Sequence, residues 1–282
     1  MARLIRVDAE LVRRGLARSR SQAAELIASG VVMLDGLVVQ KPARQMDPVQ
    51  ALLVREERGE EYASRGAYKL LGALETLAES APRIAGRRCL DAGASTGGFT
   101  DVLLRKGAAH VVAVDVGYGQ IAWRLREDPR VTVIERTNVR TLDPQLVAPA
   151  PELVVGDLSF ISLTLVIPAL VRAAARDADF LLMVKPQFEV GKDKLGRGGV
   201  VRDVALHCES VVKVAECGQS NGLGVLAIAA SPLPGPAGNV EYFVHMRAGA
   251  QAMPREQLKE EVASAVAAGP AGTIESEKQA EI

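Results

Sequence analysis

Four charged residues stand where a lysine or a carboxylate could act on a substrate: Lys69, Asp157, Lys185 and Glu241. Lys185 closes the apolar run Phe180-Leu181-Leu182-Met183-Val184, and Asp157 closes Leu153-Val154-Val155-Gly156. Glu241 opens the run Val240-Glu241-Tyr242-Phe243-Val244, and Lys69 lies on a helical stretch ahead of the first of these runs. A lysine that ends a buried strand is costly unless it is paired or reaches a site. Transfer of a methyl group to a ribose 2′-hydroxyl accounts for the set. The hydroxyl is a poor nucleophile and must lose its proton as it attacks. A lysine can accept that proton or stabilise the forming alkoxide, and the two carboxylates can orient the amines. General-base help of this kind is worth on the order of 10²–10⁴-fold, and alignment of hydroxyl, methyl and leaving group supplies much of the remainder.

The methyl donor has its own signature. Asp91-Ala-Gly93-Ala-Ser95-Thr96-Gly97-Gly98-Phe99 follows a short strand-like run and opens into the helical Thr100–Leu104. A glycine-rich turn between strand and helix lets the backbone approach a nucleotide-like ligand closely. The next apolar run, Val111–Val114, ends in Asp115, an acid placed to receive ribose hydroxyls. The pattern D-x-G-x-x-x-G-G-F differs from the G-x-G-x-x-G that cradles a pyrophosphate. It favours S-adenosylmethionine (AdoMet), which has no pyrophosphate and whose sulfonium leaving group needs no metal. Glu189–Gly199, a basic, glycine-rich stretch just past Lys185, either closes over RNA or is a surface loop. Phe160 and Phe188 read as core residues in preference to base-stacking platforms.

These residues need a frame. Strands are expected near 87–91, 110–115, 131–135, 152–157, 179–184, 223–230 and 240–247, with helices at 67–79, 98–106, 119–127, 163–175 and 203–219. Ser64 is a candidate cap for the first of these helices. Alternating β and α units predict a Rossmann-like parallel sheet covered on both faces, with its site at the carboxyl ends of the strands. The last connection, Ser231–Gly238, holds no helix, so the final strand should run antiparallel. A helix near 254–267 precedes a tail expected to be disordered.

The 282 residues are 48% hydrophobic with no net charge, enough for a medium domain with a core of its own and a small partner domain. No apolar run approaches the roughly 18 residues a membrane helix needs, and the N-terminus lacks a signal-peptide core. Cys89, Cys208 and Cys217 form no metal-like cluster even with His207 beside Cys208. No metal is expected, and reduced thiols in a cytoplasm are.

The neutral total hides a gradient, because residues 1–55 carry nine Lys and Arg against five acids, a surplus of four that suits an anionic partner. Val7–Leu16 and Arg20–Ser29 read as short helices, the second capped by Ser19. Val31–Val39 reads as a hairpin turning at Asp35-Gly36, and Ala51–Val54 as a further strand. With Arg6-Val7-Asp8, Gly15–Arg20, Ala23-Ala24 and Gly30–Gly36, this unit resembles the RNA-binding domain of ribosomal small-subunit protein four. The resemblance implies a basic face on RNA backbone, with Arg6, Arg18, Ser19, Arg20 and Lys41 as its contacts. Such contacts position a protein and weaken steeply with salt.

Lys69, Asp157, Lys185 and Glu241 match the Lys-Asp-Lys-Glu tetrad of FtsJ-like ribose 2′-O-methyltransferases. Together with Ser64–Leu70, Asp91–Phe99, Gly156–Leu163, Val184–Glu189 and Gly238–Tyr242, the chain to about residue 247 resembles the TlyA family. That family is known both as hemolysin A and as an rRNA cytidine 2′-O-methyltransferase. The resemblance implies that Asp91, Gly93, Ser95, Thr96, Gly97, Gly98 and Phe99 bind AdoMet, with Asp115 on its ribose and Asn138 near its adenine. It implies methylation of small- and large-subunit rRNA and a link to capreomycin-type antibiotics, and Arg3–Leu16 resembles the dual-substrate branch. The domains expected are residues 1–60 (RNA-binding), 61–66 (linker), 67–248 (methyltransferase) and 249–282 (helix and tail). Two other functions remain in view. A membrane-active hemolysin lacks an apolar span or a strongly amphipathic basic helix, and a non-catalytic ribosome-assembly factor would have no use for the tetrad.

Overall fold

The computed structural model describes residues 4–17, 19–28, 30–54 and 62–272. The chain divides into two compact units between Glu61 and Tyr62.

In the first unit β1 (Ile5–Arg6) leads directly into α1 (Val7–Arg13), and α2 (Arg20–Ala28) follows. Ser19 Oγ accepts from Gln22 N at 3.2 Å and so caps α2, satisfying one of the free amides of its first turn. The hairpin β2 (Val32–Leu34) and β3 (Leu37–Val38) turns at Asp35-Gly36, and β5 (Leu52–Val54) pairs antiparallel on the other side of β2. A pairing the sequence did not announce joins β1 to β4 (Gln45–Met46), two residues on each strand. Val7, Leu11, Ala23, Ile27, Val32, Leu34, Met46 and Leu52 form the core of this unit.

The second unit starts with α3 (Gly66–Leu77) and continues with β6 (Arg88–Ala92), α4 (Gly98–Arg105), β7 (His110–Val114), α5 (Trp123–Arg126) and β8 (Val131–Ile134). Then come β9 (Leu153–Gly156), α6 (Ile167–Ala173), β10 (Asp179–Val184), α7 (Pro186–Glu189), α8 (Val204–Ser220), β11 (Leu223–Ala230), β12 (Tyr242–Ala248) and α9 (Arg255–Ala268). The seven strands lie in the order β11-β12-β10-β9-β6-β7-β8. All run parallel except β12, which is antiparallel to both β10 and β11, as the helix-free connection before it requires.

Strand residues alternate between two cores, as a pleated sheet buried on both faces demands. Leu90, Val112, Val154 and Leu182 pack with α6, α8 and α9. Cys89, Val111, Val155 and Leu181 pack with α3, α4 and α5 on the other face. The chain leaves β6 toward β7 on one side and returns to β9 on the other. The carboxyl ends of β6 and β9 therefore flank the crevice where such sheets bind ligands.

Several expected elements differ from those observed. Ser64 does not cap α3: Arg65 is the N-cap residue and no side chain caps it. Only the Ser64 backbone carbonyl takes part, accepting from Ala67 N at 3.1 Å. The helix expected at 119–127 shrinks to Trp123–Arg126, because Ala122 is non-helical, at ψ 136°, and donates its N–H to the Thr96 carbonyl at 3.1 Å. The helix expected at 163–175 begins as a 3-10 turn at Leu163–Leu165, with α6 proper starting beside Pro168. Glu241 stands just ahead of β12 and not within it. Of the final dozen residues, expected to be disordered, 273–282 lie outside the described residues.

Candidate active site

The loop after β6 is built from residues held in the left-handed region, Gly93 at φ 87°, Ser95 at 50° and Gly97 at 95°. Gly93 also has no room for a side chain, since a Cβ there would stand 2.9 Å from the Asp157 carbonyl. This close approach joins the ends of β6 and β9. At Gly98 a Cβ would meet Ser64 Oγ at 2.3 Å and Ala67 N at 3.0 Å, so α4 and the start of α3 depend on that glycine. Asp115, just past β7, ties the loop from the side: its carboxylate accepts from Ser95 N at 2.8 Å and Gly117 N at 2.7 Å. Two oxygens with two acceptor positions each leave it capacity for ligand hydroxyls.

Asp91 lies beneath the loop, fully buried, with Oδ2 accepting from Thr100 Oγ1 at 2.7 Å and Oδ1 unpartnered among the described residues. Burial pushes its carboxyl up to about 7, against the Thr100 hydrogen bond and with the help of Asp157. Phe99 is also buried, its ring stacked on Phe243 with centroids 6.1 Å apart. Asn138 caps the 3-10 turn Val139–Thr141, accepting from Arg140 N at 3.0 Å, and lines the same cavity as Asp115.

The four charged residues come together as two pairs. Lys69 sits on the buried stripe Lys69-Ala73-Leu77 of α3, at helical spacing, and its Nζ donates to Glu241 Oε2 at 2.6 Å. The pair is almost fully enclosed, with side chains 9% and 1% exposed. Lys185, the residue between β10 and α7, places Nζ 2.5 Å from Asp157 Oδ1 and donates to Ser159 Oγ at 2.8 Å. Buried pairs of this kind recover little net energy, because desolvation offsets the attraction. Their presence points to use and not to stability.

Three adjoining cavities meet here. One of about 310 Å³ is lined by Lys69, Lys185, Asp157 and the glycine loop. A second, about 520 Å³, contains Asp115 and Asn138. A third, about 830 Å³ and largely apolar, lies past Lys185 and is lined by Phe160, Gln187, Phe188 and Glu241. Ser159 lines all three. An uncharged hydroxyl within Leu158-Ser159-Phe160-Ile161, it carries no signal that singles it out. Phe160 corrects the core expectation: it is 91% exposed, with a left-handed φ of 63° that turns the ring outward. Phe188 is half-buried beneath it, centroids 5.2 Å apart. Glu189 anchors this loop, accepting from Ser162 Oγ at 2.6 Å and Leu163 N at 2.7 Å.

In the N-terminal unit, buried Asp8 receives Arg6 at 2.8 Å and Arg20 at 2.9 Å. The Arg6 guanidinium, with Arg20 beside it, holds the Asp8 carboxyl well below its usual range. Buried Glu10 likewise receives Arg13 and Arg14. Lys41 is exposed, and Arg18 lies outside the described residues. His207, beside Cys208, is buried in the other unit; its Nε2 is 3.0 Å from the Val201 carbonyl and its Nδ1 3.0 Å from the Tyr242 hydroxyl. Among the described residues no group of three His, Cys, Asp or Glu is placed to hold a metal, and no helix is long and apolar enough to cross a membrane.

Residues 62–248 match the model of the FtsJ-like methyltransferase family, and residues 5–48 match the S4 domain. The 16S/23S rRNA (cytidine-2′-O)-methyltransferase TlyA of Mycobacterium tuberculosis is 58% identical over 271 residues, which span 96% of this chain and all of that one. The 23S rRNA (cytidine-2′-O)-methyltransferase TlyA of Campylobacter jejuni is 32% identical, over 80% of this chain and 93% of its own. A solved structure from Streptococcus thermophilus, described as a hemolysin, superimposes over the full length of both chains with a TM-score of 0.71 and 34% identity. This chain therefore belongs to the FtsJ-like methyltransferase family, with an S4 domain at its N-terminus.

Proposed function

We propose that this enzyme transfers a methyl group from AdoMet to the ribose 2′-hydroxyl of cytidines in small- and large-subunit rRNA. The observation that carries the reading is the pair of buried lysine–carboxylate contacts opening onto one crevice between the glycine loop and an apolar cavity. The choice of both subunits rests on the 58% identical relative, whose name specifies 16S and 23S rRNA. By the same reading the modification bears on susceptibility to capreomycin-type antibiotics.

The residues present fit AdoMet. The Gly93–Gly98 loop leaves backbone space for it, Asp115 retains acceptor capacity for its ribose, and Asn138 lines the same cavity. When bound, it supplies an electrophilic methyl on a sulfonium leaving group. Lys185 then faces the attacking hydroxyl. Its ammonium stabilises negative charge on the oxygen, and the paired carboxylate of Asp157 accepts the hydroxyl proton. Ser159 holds the Lys185 amine from a second side. Lys69 and Glu241 form the opposite wall, where their mutual pairing leaves no net charge to compete for the substrate. The S4 unit, with Arg6, Ser19, Arg20 and Lys41 and the undescribed Arg18, engages RNA backbone and brings the target within reach.

The test is to incubate the protein, and its Lys185→Ala variant, with labelled AdoMet and unmodified ribosomal subunits, and to map the label. Label on cytidine 2′-oxygens from the wild type and none from the variant is the expected result. No label on either subunit from the wild type would sink the reading.

A further inference from the structure

Lys69 and Glu241 meet at one end of a contact that runs the length of α3. Its other end holds a buried histidine that the chemistry does not use. Glu241, Phe243 and His245 alternate along the chain and so face the same side of the sheet. Glu241 accepts from Lys69, near the start of α3, and Phe243 packs in the core formed with Leu70, Ala73 and Leu77 of that helix. His245 Nδ1 lies 2.7 Å from the carbonyl of Ser80, in the 3-10 turn Ala78–Ser80 that follows α3. The two fastenings have similar spans, about 16 Å along the helix from Lys69 to Ser80 and about 13 Å along the strand from Glu241 to His245. The helix ends on Ala78 at a left-handed φ of 46°, a strained conformation for alanine.

The other ring nitrogen, Nε2, stands 3.0 Å from Asp179 Oδ1. Asp179 is fully buried at the start of β10, the strand that leads to Lys185. It also accepts from Arg247 Nε at 2.8 Å and from Arg87, just ahead of β6. Against the cost of its burial, hydrogen bonds from His245, Arg247 and Arg87 hold its carboxyl well below the usual range. A carbonyl and a carboxylate only accept, so both ring nitrogens donate and His245 is an imidazolium. A buried ionic cluster of this kind yields little net stability, and fixing register is its best-attested use. We propose, on the function given above, that His245 is a positioning residue for methyl transfer. By donating to Ser80 and Asp179 at once it registers α3 against β12 and β10, and so sets Lys69 opposite Glu241.

Two measurements test this. Proton–nitrogen NMR of the wild type at pH 7 should show two ring N–H signals from His245, one of three histidines in the chain, and both should vanish in His245→Gln and His245→Asn. A single ring N–H at His245 overturns the proposal. The second measurement is kinetic. An asparagine amide reaches the position of Nδ1 and a glutamine amide that of Nε2, so His245→Asn keeps a donor for Ser80 and His245→Gln only one for Asp179. His245→Gln should lower kcat by about 10-fold, short of the ~100-fold that a 1 Å misplacement can cost, with KM for RNA and AdoMet affinity within about twofold. His245→Asn should stay within about threefold of the wild type. Thermal melting accompanies each variant, because a merely structural histidine would make kcat follow stability. A wild-type kcat in His245→Gln overturns the proposal, as do losses in the two variants that simply track their melting temperatures. Absence of label from the wild type on any subunit instead overturns the methyltransferase reading, and this proposal with it.

Discussion

Both units of this chain bury carboxylates, but among the described residues only the methyltransferase unit also buries lysines. In the S4 unit the carboxylates of Asp8 and Glu10 are buried, and the guanidiniums they hold reach the surface, Arg6 at 43% and Arg20 at 61% exposure. In the methyltransferase unit the lysines themselves are enclosed, Lys69 and Lys185 each at 9%. A buried acid that anchors exposed arginines orders long, flexible side chains without removing their charge from water. That arrangement suits a broad anionic surface such as RNA backbone, and its attraction is screened by salt. A buried cation is withheld from the surface and acts on a single atom delivered to it, in a low-dielectric site where its field is strong. On the proposed function, one region uses charge for association and the other for chemistry.

Removing the cation from each region should therefore cost different things. Lys185→Ala should lower kcat/KM by about 10³-fold, within the span of general-base and electrostatic effects, and leave RNA affinity within about twofold because the cation never faces bulk phosphate. Single-turnover methylation and filter binding read the two separately. A large loss of RNA affinity in Lys185→Ala would break the distinction.

Asp91 extends the comparison, being a buried acid with no cation. Its folded value of about 7 is above the unfolded one, so its protonated form is favoured in the native state and its burial is free of charge cost only in acid. As pH rises from about 4 to 7 the cofactor-free protein should lose up to ~4 kcal/mol of stability relative to Asp91→Asn. Asp8 and Glu10 shift the other way, because their arginines favour the charged form. The stability they give is present above their ordinary values and is lost as pH falls below about 4 toward their folded ones. Hydrogen exchange resolved by segment should show the methyltransferase unit gaining protection between pH 7 and 4, and the S4 unit losing protection only below that. Parallel responses between pH 7 and 4 would remove the charge argument; below pH 4 both units lose protection, because, against burial, hydrogen-bonded partners also hold Asp101 and Asp179 of the methyltransferase unit low.

On the association side, Arg20→Ala should weaken RNA binding by about 3–10-fold at physiological salt and reduce the slope of log affinity against log salt by about 0.7–1. Asp8→Asn should give a smaller loss, since both guanidiniums remain but are no longer held together. An unchanged salt slope in Arg20→Ala would mean that this arginine does not touch phosphate.

Much of this frame was legible before any coordinates. Alternating apolar runs placed all seven strands of the large sheet, and the helix-free Ser231–Gly238 connection fixed the direction of the last. Lys185 stood out because a lysine closing a buried strand has no structural excuse, whereas Lys69, on a helix, stood out only in company with Asp157, Lys185 and Glu241. Their pairing was not legible, because Lys69 meets Glu241 across 172 positions of sequence and Lys185 meets Asp157 only because β10 lies beside β9 in the sheet. Phe160 was misread because Leu158-Ser159-Phe160-Ile161 has the composition of a core segment. The left-handed turn that exposes its ring is a backbone property with no glycine to advertise it. The two-residue pairing of β1 with β4 is too short for any periodicity to signal.

Ser159 offers the finest test of the contrast, because it carries no charge. Its hydroxyl accepts from Lys185 Nζ while Asp157 Oδ1 holds the same amine at 2.5 Å. In Ser159→Ala the ion pair survives and one neutral acceptor is lost, so the amine keeps its charge but gains freedom to turn. A positioning role predicts a kcat lower by about 3–10-fold, the net worth of one ordinary hydrogen bond, with KM for RNA unchanged. Ser159→Thr, which restores the hydroxyl, should recover much of the loss. If Ser159 only filled space, Ala and Thr would differ in stability and not in kcat. A fall in kcat rescued by Thr would place the hydroxyl among the groups that aim the buried cation, a control that the arginines of the other unit do not need because their target is a surface and not an atom.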